Sequence, residues 1–162
     1  MPVRGTELVI KNIRNFGGGF LKHVNRSMKE VSGMLKEEIQ QNISLQDHSL
    51  ESLRRMGHPY RIVGPGLHHP ESYKVHIQSG QLVSSLKQGV QEANIEFMAL
   101  KAGAWAGVDE NIAPHALYVF YGTSKMIPRD FLSPALKAAG PRALVYLKDN
   151  LRDAIINFKP EK

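Results

Sequence analysis

Apolar residues recur every three or four positions along two long stretches of this chain. In the first, Phe20, Val24, Ser27/Met28, Val31, Leu35 and Ile39 form one stripe, with Lys22, Arg26, Lys29, Lys36 and Glu37 opposite. That spacing predicts an amphipathic helix of roughly six turns. Neither Glu30 nor Glu37 is followed four residues on by Lys, so the helix depends on packing its stripe. Ile13 and Phe16 fall on the same stripe, but Gly17-Gly18-Gly19 intervenes, and each glycine costs roughly 1 kcal/mol in a helix interior. Residues 1–19 are therefore expected as an N-terminal arm, with Glu7 to Asn12 a short strand or extended segment. In the second stretch, Leu132, Leu136, Ala139, Ala143/Leu144, Leu147, Leu151, Ile155 and Phe158 make the stripe of a final helix over 131–158. Pro134 is tolerated in its first turn, and Gly140-Pro141 is expected to kink or divide it.

Between these stretches the periodicity changes. Leu50, Leu53 and Met56 give a small helical face that Asp47 or Ser49 can cap, with Gly57 at the C′ position and Pro59 preventing continuation. Residues 57–70 hold Gly57, Gly64, Gly66, Pro59, Pro65 and Pro70, and 57–72 is expected as a long, mobile central loop. Tyr73 to Ile77 alternates apolar and polar as a strand does. Ser79 to Leu86 fits a short helix capped by Ser79. Ile95–Leu100 and Ala104–Val108 read as a hairpin around Lys101-Ala102-Gly103. Ala116 to Tyr121 fits either a buried strand or a short helical turn, which so brief a run does not separate. Gly122 ends it. The expected fold is a single α+β domain over 1–162. An antiparallel sheet drawn from 73–128 would carry both long helices on one face.

Composition narrows the class. The chain has 162 residues, 42% apolar and 22% charged, enough for one domain with a buried core and unlike a wholly disordered chain. Cysteine is absent, which removes disulfides, thiolate metal sites and cysteine nucleophiles and fits a reducing compartment. No apolar run approaches the length of a membrane span. The start, MPVRGTELVIKN, lacks the apolar stretch of an export signal. The net charge of +6 divides as nine positive against six negative over 1–60, three against three over 61–100, and nine against six over 101–162. No five-residue window is a basic cluster; Arg54-Arg55 is the densest spot. That is a poor footprint for a DNA-reading helix, although copies repeated around a ring would add their charge.

The chemistry of the side chains points away from catalysis. His58, His68, His69 and His76 lie close in sequence, with Glu71 nearby, but none has the i,i+4 spacing of a helix-borne metal site. Their stretch reads as loop, and metal ligands need rigid support, so exposed loop histidines are the expectation. Ser79, Ser84 and Ser85 lack the Gly-x-Ser-x-Gly elbow, no carboxylate pair sits in an apolar setting, and Gly17–Gly19 is not followed by Lys-Ser or Lys-Thr. No catalytic, cofactor-binding or metal residue is assigned, and the chain is expected not to be an enzyme.

Two stretches resemble a known family. One is Ser79-Gly80-Gln81-Leu82-Val83-Ser84-Ser85-Leu86. The other runs from His115-Ala116-Leu117-Tyr118-Val119-Phe120-Tyr121-Gly122-Thr123 to Pro128-Arg129-Asp130-Phe131-Leu132-Ser133-Pro134-Ala135-Leu136. In this order they resemble the neck and tail-completion (head–tail joining) proteins of tailed bacteriophages and prophages. Those carry Thr-Gly-x-Leu-x-x-Ser, Tyr-Ala-x-x-x-Glu-Phe-Gly-Thr and Pro-Phe-Leu-x-Pro-Ala-Leu stretches, and the likeness covers about residues 20–158. Gly80, Leu82, Ser85, Ala116, Gly122, Thr123, Phe131, Leu132, Pro134, Ala135 and Leu136 keep the pattern. Ser79 stands where Thr is usual, His115 where Tyr is, Phe120 where an acidic residue is, and Asp130 where Pro is.

The resemblance implies a structural protein of the virion, made in the bacterial cytoplasm. It would assemble as a ring, commonly sixfold, that completes the tail or joins it to the head. Its implied partners are other copies of itself, the tail-tube and head-connector proteins and, non-specifically, passing DNA, with no membrane and no cofactor. The matched residues would specify architecture and carry no bond-making chemistry. The 57–72 loop is the expected partner-binding segment, with Tyr60, Ile62, Val63, Leu67 and Tyr73 as apolar anchors and Arg61 as a polar one. The alternatives are a minor tail component away from the neck and, in a different class, a basic DNA-binding factor; a metal-dependent hydrolase stands third.

Overall fold

A computed structural model describes residues 6–46, 49, 51, 74–77, 79–96, 99–124 and 126–160. Its elements are α1 (Thr6–Asn42), α2 (Gln81–Ser84), β1 (Leu86–Glu96), β2 (Ala99–Val108), α3 (Ala116–Tyr121) and α4 (Leu132–Ile156). The protein is α+β, with two long helices and an antiparallel sheet of two strands. The chain divides into two compact units. One comprises Met1–Ser32, Gly89–Trp105 and Pro141–Lys162, the other Gly33–Gln88 and Ala106–Gly140. Helix α1, the hairpin and α4 each run through both.

In the first unit the N-terminal arm is replaced by helix. α1 spans 37 residues and passes straight through Gly17-Gly18-Gly19. Those glycines cost about 3 kcal/mol together as helix interior. Packing offsets this, because the aromatic residues that bracket them are engaged. Phe16 stacks on Phe20 at 5.6 Å between ring centroids and meets Phe158 edge-on at 4.9 Å. Further along, Val24, Ser27 and Val31 are buried, as the stripe predicts. Asn25 Oδ1 accepts a hydrogen bond from the Ala93 amide at 2.6 Å and so ties β1 to α1. The hairpin is longer than expected: residues 101–103, expected as its turn, are inside β2, with β1 running to Glu96 and β2 from Ala99. The apolar run 95–100 drew the strand assignment, whereas β1 is largely polar. Register is set by backbone pairing and by Trp105, whose indole lies over Gly89 where no side chain would fit.

In the second unit the core joins the end of α1 to the motif stretches. Ile39, Ile43, Val75, Leu82, Leu86, Ala113, Ala116, Val119, Phe131 and Ala135 form one buried cluster. Residues 74–77, expected as part of a strand, form none. Their partner is Leu45, through a parallel bridge with His76, and not the sheet. The Val75 amide donates to Asn42 O at 2.7 Å and the Leu45 amide to Val75 O at 3.1 Å. The predicted helix around Leu50–Met56 lies outside the described residues apart from Glu51, which is helical. The predicted helix of 79–86 shrinks to four residues. Gly80, not Ser79, is its N-cap, in the left-handed conformation at φ 76°. The Ala116–Tyr121 run is helical.

The inward face of α4 keeps Ala139 and Ala143 of the predicted stripe and leaves out some of its larger members. Ala135, Ala139 and Ala143, four residues apart, are buried, while Leu136, Leu144 and Ile155 are exposed. A hydrophobicity pattern gives alanine little weight, yet small side chains let a helix approach its neighbours closely. Pro141 sits inside α4 without ending it, and the two units divide between Gly140 and Pro141.

Candidate functional site

The three motif stretches meet in the second unit. Ser85 is fully buried and its hydroxyl donates to Leu82 O at 2.7 Å, closing α2, while Leu82 enters the core. The Asp109 amide donates to Ser85 O at 2.8 Å, so the same residue holds the far end of the hairpin. Lys87 pairs with Asp109 across the hairpin base. Hydrogen bonding from Lys87 holds the Asp109 carboxyl below its ordinary value of 3.8, with the Asn111 amide adding to the effect.

Ala116 and Val119 face the core from α3, and Phe120 packs edge-on against Phe131 at 5.7 Å. Phe120 thus extends the core. Gly122 follows at φ 73° and ψ −177°, backbone that side-chain-bearing residues avoid. Thr123 and Met126 then exchange two backbone hydrogen bonds, of 2.9 and 3.2 Å. The Arg129 amide donates to Val119 O at 2.9 Å and returns the chain to α3.

Phe131, 1% exposed, anchors the entry to α4, and the side chain of Asn42 donates to its carbonyl at 2.9 Å. Leu132 and Pro134 are partly buried beside it. Asp130 caps the helix: its Oδ1 accepts from the Leu132 and Ser133 amides at 3.2 and 2.9 Å. The aspartate at this position thus supplies a helix cap. The Ser133 hydroxyl and amide hold the Asp130 carboxyl below its ordinary 3.8. A depressed carboxylate contributes stability that is present above the unfolded-state value and is lost as pH falls through the folded-state value. Asp130→Ala is expected to cost about 1 kcal/mol at pH 7. The deficit should vanish in urea titrations below the folded-state value, and a pH-independent deficit would count against the cap.

Pattern reading missed two buried polar residues. Asn42 fastens the end of α1 to the start of α4, and Arg129 brings a guanidinium to 1% exposure. Both lie on or beside apolar stripes, where a polar residue signals a tertiary partner only once that partner is known. The anchors Tyr60, Arg61, Ile62, Val63, Leu67 and Tyr73 lie outside the described residues, as do His58, His68, His69 and Glu71. His76, expected to be an exposed loop histidine, is instead buried and bridged to Leu45. Among the described residues no three His, Asp or Glu side chains are grouped to hold a metal ion. An open cleft of about 280 Å³ in the first unit is lined by Phe16, Phe20, His23, Asp153 and Phe158 among others.

Large apolar side chains also face outward. Val9, Ile10 and Ile13 continue the α1 stripe beyond its packed part. Tyr118 and Tyr121 project from α3, and Leu144, Val145, Ile155 and Ile156 from α4. Among the described residues, no helix is long and apolar enough to cross a membrane. No family model, curated protein or solved structure matches this chain.

Proposed function

We propose that this protein is a structural component of a tailed phage or prophage virion. It assembles as a ring, commonly sixfold, at the head–tail interface and completes the tail or joins it to the head. The observation that carries this reading is the convergence of residues 79–86, 115–123 and 128–136 in one core. Leu82, Ala116, Phe131 and Ala135 pack together there, and Gly80 and Gly122 occupy backbone conformations that favour glycine. The matched residues thus have architectural roles, as the resemblance implies, and none is placed for bond-making. The outward apolar residues of α1, α3 and α4 offer apolar surface on which copies could associate. A closed ring uses two different patches on each subunit. The 57–72 segment, with Tyr60, Arg61, Ile62, Val63, Leu67 and Tyr73, supplies one of them and orders against the neighbouring subunit. DNA contact through the +6 charge is non-specific and collective.

Deletion of residues 60–70 is expected to leave a folded chain, since Ile39, Ile43, Leu82, Ala116 and Phe131 of the second unit's core lie outside that segment. That chain should fail to join purified heads to tails, with circular dichroism reporting the fold and infectious particles formed in vitro reporting the joining. Undiminished joining would remove the loop from the mechanism. Failure of the full-length protein to associate with either heads or tails, with a salt-dependent shift of duplex DNA instead, would favour the DNA-binding alternative.

A further inference from the structure

The outer face of α4 is complementary to itself. Val145, Asp149, Arg152 and Ile156 are spaced by four, three and four residues, so at 100° per residue they fall within about 60° of arc. They lie on the side of the helix away from buried Ala139 and Ala143. Val145 is 62% exposed and Ile156 64%, and both charged residues are exposed. Neither Asp149 nor Arg152 has an ion-pair partner among the described residues. Leu144 and Ile155, also exposed and eleven residues apart, border the stripe on one side. Two β-branched residues three turns apart, facing solvent across an acid and a base, gain nothing for an isolated chain.

The spacing is palindromic, and so is the chemistry once the charge sign is included. Read forward the stripe is apolar, acid, base, apolar; read backward it is apolar, base, acid, apolar. Laid against a second copy running the opposite way, each Val145 meets an Ile156 and each Asp149 meets an Arg152. The two-fold axis falls between Asn150 and Leu151. The four-three-four step is the seam of a two-helix coil, and the central ion pairs fix its register and direction. In the parallel arrangement in register, acid meets acid and base meets base.

We propose that the protein self-associates through this stripe, with α4 of one copy antiparallel to α4 of a second about a two-fold axis. The contact pairs chains two by two, whereas ring closure uses unlike patches, so it stands independently of the head–tail reading. The seam is one helix face, which places the dimer among weak, concentration-dependent associations.

Charge reversal tests it with the full chain. Each substitution acts twice across the two-fold axis. Asp149→Arg alone, or Arg152→Asp alone, is expected to weaken dimerisation about tenfold or more, read by sedimentation equilibrium. The combined D149R/R152D chain should return to within about threefold of the original. Circular dichroism checks that each variant keeps its helix. Thiols give a second readout, since the chain has no cysteine of its own. Chains carrying V145C mixed with chains carrying I156C should form a mixed disulfide dimer on mild oxidation. Neither chain alone should, because like positions lie about 16 Å apart along the seam. A native chain that stays monomeric at every concentration, its α4 face covered by another part of the chain, overturns the proposal. So does association that both single reversals leave unchanged, or that the double reversal fails to restore.

Discussion

Phe131→Ala is expected to lower stability by about 4 kcal/mol, in the range measured for removing a buried phenylalanine ring. The side chain is 1% exposed and sits in the cluster with Ile39, Ile43, Leu82 and Ala135. Its ring also makes the edge-on contact with Phe120 at 5.7 Å, and such aromatic geometry adds about 1 kcal/mol to simple burial. The backbone carbonyl of residue 131 still accepts from Asn42 in the variant, so the loss isolates packing from the polar tie. For a chain of this size the effect corresponds to a drop of about 10 °C in Tm. Given that native stabilities run to about 5–15 kcal/mol, the variant is expected to be folded but near its limit. A loss under about 1.5 kcal/mol in urea titration would show that Phe131 is not an anchor of this core.

Gly122→Ala is expected to cost about 3 kcal/mol or more, an unusual penalty for adding one methyl group. Two effects combine. At φ 73° and ψ −177° an L side chain crowds its own backbone. The added Cβ would also lie 2.7 Å from Met126 O and 2.8 Å from Pro128 N, backbone atoms that the Thr123–Met126 pairing holds in place. Gly80→Ala is the internal control. Its φ is also positive, at 76°, but nothing lies within 4 Å of the added carbon. It is expected to cost only about 1 kcal/mol, so the difference between the variants measures the clash. Equal, small losses at the two positions would mean that residues 122–128 yield to the methyl group. The assembly reading predicts the same order in head–tail joining, because α3 and α4 are set by this turn.

How much of this was legible in advance follows from where each signal lives. The α1 stripe predicted Val24, Val31 and Ile39 as buried because a helix repeats its environment every three to four residues. The same arithmetic put Ala139 and Ala143 inward on α4, where they are buried, but also Leu136, Leu144 and Ile155, which are exposed. Periodicity locates an apolar face but does not say how much of it touches the core. The triple glycine was read as a break because local propensity opposes helix there. Phe16, Phe20 and Phe158, the last of them distant in sequence, reverse that balance. The hairpin turn was misplaced because strand pairing is a non-local choice of register.

The motif residues divide along the same line. Their order and spacing suggested a shared architecture, and Gly122 was singled out as a turn glycine from its place after an apolar run. Three things lay beyond the pattern: that Asp130 is a cap, that Asn42 closes on the carbonyl of Phe131, and that Arg129 is taken into the core. Each depends on a partner or a burial set by distant parts of the chain. By itself, the sequence determined the helix periods, the absence of cysteine chemistry and the turn glycine Gly122 after its apolar run. Those are properties of residues and their near neighbours. Tertiary structure alone decided how far round α4 the buried face reaches, taking in Ala135 and leaving Leu136, Leu144 and Ile155 to solvent. A helix turns one arc of its surface or another inward at similar local cost, and only the shape of what it packs against selects between them.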